Sequence, residues 1–274
     1  MAKHKVTQAI VDIAYTILAD DHPMTVRQVY YQLVARQIIK NQDSQYKRIS
    51  RILVDARKDG AIPWDWIEDR LRRPRAVSMW EDLTDFGTDA VQAYRRNVWT
   101  EQPRYFETWL EKDALSGIFE DLLRPYGVTL NVGRGYDGWD SIRNAAQRMG
   151  DGRRAAVLYF GDFDPSGEDM KRSLEDRLAY FGCMPDIVKC ALTAEDIARY
   201  QLPPDPAKRT DTRAAEFIAK NGDISVELDA LPSAVLRQRI RQEVEARLDM
   251  SALEATRRLE ATERQRLISA LASG

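Results

Sequence analysis

The apolar positions of the chain change period once, near residue 100, and that change divides it. Val6, Ile10, Ile13, Ala14 and Ile17 recur three and four residues apart, the spacing of one helix face. Thr25 is an N-cap for a second helical run from Val26 to Ile38. A third run opens at Ser44, with Ile49, Ile52, Leu53 and Ala56 on one face and Gly60 as its stop. Ala61 to Arg75, broken by Pro63 and Pro74, reads as a strand-like tail. Three short helices and an extended tail suit a winged-helix or helix-turn-helix module over residues 1–75, with the third helix as the reading element.

Residues 76–101 read as a helical connector, after which strands and helices alternate. Strands are expected at Arg104 to Leu110, Val128 to Val132, Ala155 to Phe160 and Ile187 to Leu192. Helices are expected between them at Asp113 to Leu123, Trp139 to Met149 and Glu168 to Tyr180. This is a βαβ series with a parallel sheet over residues 102–200, so the expected class is α/β. A Pro-rich loop at Leu202 to Pro206, a short apolar segment around Val226 to Leu228 and two charged helices, roughly 232–249 and 251–271, make up a C-terminal helical extension over 201–274.

Composition narrows the setting more than the function. The 274 residues carry 41 Lys and Arg against 43 Asp and Glu, a formal charge of −2 that does not itself announce a nucleic-acid binder. Residues 1–75 nevertheless hold 14 basic and 9 acidic side chains, so the excess of about +5 there is balanced by about −7 elsewhere. Lys47, Arg48, Arg51 and Lys58 lie outside the apolar face of the third helix, and Arg70, Arg72, Arg73 and Arg75 form the densest basic run. These residues are the expected contacts to double-stranded DNA, against the alternative of a solvated basic face and linker. No apolar run approaches the roughly 20 residues of a membrane span, and the N-terminus lacks a signal-type stretch, so a cytoplasmic protein without membrane attachment is expected. Cys183 and Cys190 fit a reducing compartment as small core residues.

Chemistry gathers where two of the expected strands end. Glu111-Lys112 follows the first, and the most apolar strand runs into Gly161-Asp162-Phe163-Asp164-Pro165-Ser166-Gly167. A lone Asp-x-Asp is ordinary turn chemistry, but three carboxylates at one sheet edge repel one another unless a cation joins them. Hard oxygen donors in that arrangement suit Mg²⁺. Haloacid-dehalogenase phosphatases carry Asp-x-Asp after their first strand, whereas here two strands precede it. A nucleophile is offered by Arg27-Gln28-Val29-Tyr30-Tyr31. Projected at about 100° per residue, Tyr30 falls on the apolar stripe and Tyr31 about 130° from its centre, so Tyr30 is expected in the core and Tyr31 exposed beside Arg27. A guanidinium there can lower the phenol pKa and neutralise a phosphate; the alternative is a surface tyrosine that only packs or touches DNA.

Glu111-Lys112 followed by Gly161 to Gly167 resembles the Toprim signature of the A subunit of type IIB topoisomerases (topoisomerase VI) and of its meiotic relative, the double-strand-break transesterase. Arg27 to Tyr31 on a second helix is similar to the catalytic motif of the same family. The resemblance covers roughly residues 5–75 and 102–192. It implies that Glu111, Asp162 and Asp164 bind Mg²⁺ and that Tyr31, helped by Arg27, attacks DNA to give a 5′-phosphotyrosyl link. It further implies a homodimer in which Tyr31 of one protomer meets the metal site of the other. The chain is shorter than a typical A subunit and has no Gly-x-x-x-x-Gly-Lys loop, so strand passage would need a separate ATPase partner. A Toprim endonuclease using water and a non-catalytic DNA-binding subunit remain open beside the transesterase. Smaller expectations are that Trp64 and Trp66 share one face of a wing strand, that Gly133-Arg134-Gly135-Tyr136 is a tight turn, with a role for Arg134 at the metal site as the lesser alternative, and that His4 and His22 have no chemistry.

Overall fold

The structure, a computed structural model, describes residues 2–67, 77–133, 138–207 and 213–272. Three helices open the chain: α1 (Ala2–Asp20), α2 (Val26–Ala35) and α3 (Asp43–Lys58). Thr25 caps α2 in a reciprocal box: its hydroxyl accepts the Gln28 amide while the Gln28 side chain accepts the Thr25 amide at 2.8 Å. Ile10, Ala14, Ile17, Leu33, Ile49 and Leu53 fill the space between the three helices. The α2 helix ends at Ala35, three residues short of the expected Ile38, because Gln37 turns to a positive φ of 58°.

The tail departs from a wing strand in its described part. Trp64–Trp66 is a single 3₁₀ turn, so the two indoles do not share a strand face. Trp66 stacks on His22 at 4.7 Å between centroids, whereas Trp64 is exposed under the Arg57 guanidinium, 4.2 Å from the ring. Pro63 removes a backbone donor at the start of this segment, which disfavours a paired strand there. Ile67 bridges back to Met24. Arg70, Arg72, Arg73 and Arg75 lie outside the described residues, as does Arg134.

The connector contains one helix, α4 (Leu83–Ala93), capped by Asp82 and reached by the Leu271 side chain at Gly87. The α/β unit follows as β1 (Arg104–Leu110), α5 (Ser116–Leu123), β2 (Leu130–Val132), α6 (Trp139–Met149), β3 (Arg154–Phe160), α7 (Pro165–Tyr180) and β4 (Asp186–Ala191). All four strands are parallel, in the order β2-β1-β3-β4. The β2 strand is shorter than expected and half-buried, as an edge strand can be, while β1 and β3 are buried in the middle. The first crossover goes to one side of β1 and the next passes to the other, so the chain reverses its winding between β1 and β3. Open parallel sheets bind ligands in the crevice at that reversal.

Inside β1, Glu107 is fully buried and is satisfied by Arg148 of α6 at 2.6 and 2.9 Å and by Asn131 and Tyr105 at 2.7 and 3.0 Å. Both cysteines are buried, as expected.

After β4 come α8 (Ala194–Arg199), α9 (Ala214–Asn221), α10 (Ser233–Glu245) and α11 (Met250–Ala272). The first two were not anticipated, being only six and eight residues long. Val226 pairs with Phe163 through two backbone hydrogen bonds of 2.9 and 3.0 Å and leads into a 3₁₀ turn, Leu228–Ala230. The N-terminal helices pack on this region: α2 rests on the 228–230 turn, Asn41 hydrogen-bonds Asp205, and Asp21 lies 3.6 Å from Arg237. No described helix is long and apolar enough to cross a membrane.

Candidate active site

The C-terminal ends of β1 and β3 lie side by side, since Leu110 and Phe160 are register partners and the Glu111 amide donates to the Phe160 carbonyl at 2.9 Å. That register sets Glu111 against Gly161 and Asp162. Each of the three expected carboxylates is held through one oxygen by a backbone N–H. The Asp162 amide donates to Glu111 Oε2 at 2.9 Å, Leu228 N–H to Asp162 Oδ1 at 2.7 Å, and Gly167 N–H to Asp164 Oδ1 at 2.7 Å. Asp164 thereby N-caps α7, with Pro165 in its first turn, an arrangement its Asp-Pro sequence favours.

The two glycines of the motif answer to space. A Cβ on Gly161 would stand 2.6 Å from Glu111 Oε2 and 2.7 Å from the Tyr159 hydroxyl, and one on Gly167 would stand 2.5 Å from the Asp162 carbonyl oxygen. Any side chain at either position would push into the carboxylate cradle.

Burial and then the neighbouring Asp162 push the Glu111 carboxyl up to about 7. Burial raises Asp162 to about 6 although the Lys112 ammonium pulls the other way. Acids held above their ordinary range by burial and by each other have an unmet demand for positive charge. Among the described residues no three Asp, Glu, His or Cys side chains form a ready-made ion cage. A carboxylate has two oxygens, however, and the donors are the hard oxygens that Mg²⁺ accepts, so the residues present fit that ion.

The sequence did not point to Glu227 and Asp229, which flank the buried Leu228. Lys112 Nζ is 3.3 Å from Asp162 Oδ1, 2.8 Å from Glu227 Oε2 and 3.5 Å from Asp229 Oδ2. Arg27 Nη2 is 3.1 Å from Glu227 Oε2, and its Nε is 3.3 Å from Asp229 Oδ2. Burial opposes the charge of both cations, but the facing carboxylates more than offset it and raise their pKa values. Burial raises Asp229, whose side chain is wholly enclosed, while Lys112 and Arg27 counter that rise. The signal available in the sequence was Glu-x-Asp around the apolar Val226 to Leu228, the acid spacing already seen at Asp162 and Asp164.

Tyr31 is buried, only 6% exposed, and this corrects the expectation of an exposed phenol. The helical projection placed it off the α1 and α3 face, which is right, but α2 has a second buried face that rests on the 228–230 turn. There burial, and then the neighbouring Glu227 carboxylate, drive the phenol pKa well above its usual range. Tyr30 is buried as expected, and its hydroxyl receives the Gln42 amide at 2.8 Å and meets Asn41 at 3.0 Å. The expected DNA contacts Lys47, Arg48, Arg51 and Lys58 are all exposed on α3. Comparison with known proteins adds no relative: no family model matches the chain, and no curated protein matches its sequence.

Proposed function

We propose that this chain is a Mg²⁺-dependent DNA-cleaving protein of the topoisomerase VI A-subunit type, a winged-helix module joined to a Toprim domain, acting by transesterification through Tyr31. One observation carries the reading. The α2 helix delivers Arg27 and Tyr31 to the carboxylate edge, where Glu227, Asp229 and Lys112 link them to Asp162. Two motifs more than 80 residues apart in sequence thus belong to one charged centre.

Glu111, Asp162 and Asp164 would hold the Mg²⁺, which supplies positive charge beside the scissile phosphate. Exposed Lys47, Arg48, Arg51 and Lys58 would grip the phosphate backbone, with Arg72, Arg73 and Arg75 extending that grip. Arg27 and Lys112 neutralise the phosphate under attack. The Tyr31 oxygen bonds to phosphorus as the bond from phosphorus to the 3′-oxygen breaks. The phenol proton passes to solvent, and the departing 3′-oxygen takes one up, leaving a 5′-phosphotyrosyl link and a free 3′-hydroxyl. Strand passage would call for an ATPase subunit in trans.

A second reading, hydrolysis by water with Tyr31 as a contact only, draws on the burial of that phenol and its raised pKa in the free protein. Incubation with supercoiled DNA and Mg²⁺, followed by denaturation, separates the two. Protein covalently attached to 5′ ends, absent in Tyr31→Phe, is the expected result. Free nicked or linear DNA that persists in Tyr31→Phe refutes transesterification, and cleavage that survives Asp162→Ala refutes the metal site. The contacts join Arg27 to the Asp162 edge within one chain, whereas the resemblance implies a centre shared between two copies; mixing Tyr31→Phe with Asp162→Ala protein regains activity only in the shared arrangement and stays inactive if each chain uses its own Tyr31.

A further inference from the structure

Arg27, Lys112 and Tyr31 all turn to one anion, the Glu227 carboxylate. The guanidinium reaches Oε1 and Oε2 at 3.3 and 3.1 Å, the ammonium reaches Oε2 at 2.8 Å, and the same carboxylate lies beside the Tyr31 phenol, whose proton it helps to hold. A carboxylate presents two oxygens sharing one negative charge, and so does a phosphodiester with its two non-bridging oxygens. Donors arranged for one therefore accept the other. We infer that Arg27, Lys112 and Tyr31 form the seat of a DNA phosphodiester and that in the free protein Glu227 occupies it as an internal stand-in for the phosphate.

The two acids beside Leu228 divide the work. Asp229 is wholly buried and holds both Arg27 and Lys112 from behind. It keeps them in place when Glu227 moves. The Glu227 side chain is about a third exposed at 32%, so it has a path to water, while its backbone stays anchored by the Val226 pairing with Phe163. Exchange of Glu227 for a phosphodiester replaces one negative charge by another, so neither cation is left unpaired in its half-buried position. The same exchange parts Tyr31 from Glu227, the contact that adds to burial in holding the proton on the phenol. The inference rests on the transesterase reading for the identity of the ligand, but it concerns occupancy of the seat and is measured by binding.

The decisive variant is Glu227→Gln, which keeps the size of the side chain and removes its charge. Binding of a short fluorescein-labelled DNA duplex is followed by anisotropy in EDTA, so that no cleavage intervenes. An internal competitor lowers apparent affinity by the fraction of molecules in which the seat is open, so Glu227→Gln is expected to bind about tenfold more tightly if about a tenth of the seats are open in the wild type. Glu227→Asp, one methylene shorter, is expected to fall between them and guards against a folding artefact, as does a melting curve for each variant. Removing any acid near DNA raises affinity somewhat, so the measurement is repeated on Arg27→Met. The gain disappears there if Glu227 competes for the seat, and an undiminished gain overturns the proposal. Equal affinity of Glu227→Gln and wild type also overturns it. So does loss of covalent adduct in Glu227→Gln at unchanged DNA affinity, which identifies Glu227 as the acceptor of the phenol proton. If no variant, including wild type, forms an adduct with Mg²⁺ present, the transesterase reading fails while the binding series still decides whether Glu227 fills an anion seat.

Discussion

If Glu111 holds Mg²⁺ as proposed, protons compete with the ion for it, and the size of that competition follows from its surroundings. The rise of its carboxyl from an ordinary 4.5 to about 7 corresponds to about 3 kcal/mol in favour of the protonated form. In the metal-free protein the folded state therefore carries a proton that the unfolded chain lacks between those two values. Stability is expected to increase as pH falls through about 7, to level off below about 4.5, and to bear the full penalty of the ionised pair above about 7. A cation must displace the proton, so its affinity at pH 6 is expected to be about tenfold weaker than at pH 8 through Glu111 alone. Asp162, raised to about 6, contributes a further factor of about two at pH 6. The assay is the Mg²⁺ concentration that half-maximally raises the melting temperature, without DNA, at pH 6, 7 and 8, for wild type and Glu111→Gln. The variant is expected to bind more weakly at pH 8 and to lose most of the pH dependence. A Mg²⁺ response that is flat from pH 6 to 8, or one that Glu111→Gln leaves unchanged, refutes the assignment of Glu111 as a ligand.

Gly161→Ala inserts a methyl group 2.6 Å from Glu111 Oε2, which is expected to cost about 1–3 kcal/mol in a urea unfolding series and to abolish the Mg²⁺-induced rise in melting temperature. Arg148→Met leaves the buried Glu107 carboxylate without its cation, with Asn131 and Tyr105 still bonded to it, so a loss of about 1–3 kcal/mol is expected; an unchanged midpoint in the same series contradicts the pairing. Replacing Arg48 and Arg51 by Gln is expected to weaken duplex binding uniformly across sequences and to reduce the salt slope by about two, with no change in melting temperature; an unaltered slope removes α3 from the DNA interface.

The parallel strands and their order of appearance were legible in the sequence because buried strands read as unbroken apolar runs, Ala155 to Phe160 most plainly. The same runs located Glu111 and Asp162, since a strand end is where a parallel sheet presents its chemistry. Periodicity failed for Tyr31. It reports which side of a helix is apolar, and Tyr31 is covered instead by the distant 228–230 turn, to which the exposed Arg27 beside it is tied through Glu227 and Asp229. Those two acids were hidden for a related reason. They sit at a 3₁₀ turn, where neither the helical nor the strand period applies, and their partners lie about 115 to 200 residues away. The capping box at Thr25 and Gln28 was half visible, the cap being anticipated and its reciprocal bond not.

The packing of α2 against the 228–230 turn has a consequence for how the protein is made. Arg27 and Tyr31 leave the ribosome early, whereas Glu227 and Asp229 emerge about 200 residues later, a delay of roughly 10–40 s at ordinary synthesis rates. Throughout that interval the N-terminal bundle has its tyrosine but no carboxylate edge to bring it to. A nascent or prematurely ended chain that stops before residue 227 carries Arg27 without the carboxylates that pair with it, and so the charged centre at the sheet edge assembles only after residues 227–229 have been made.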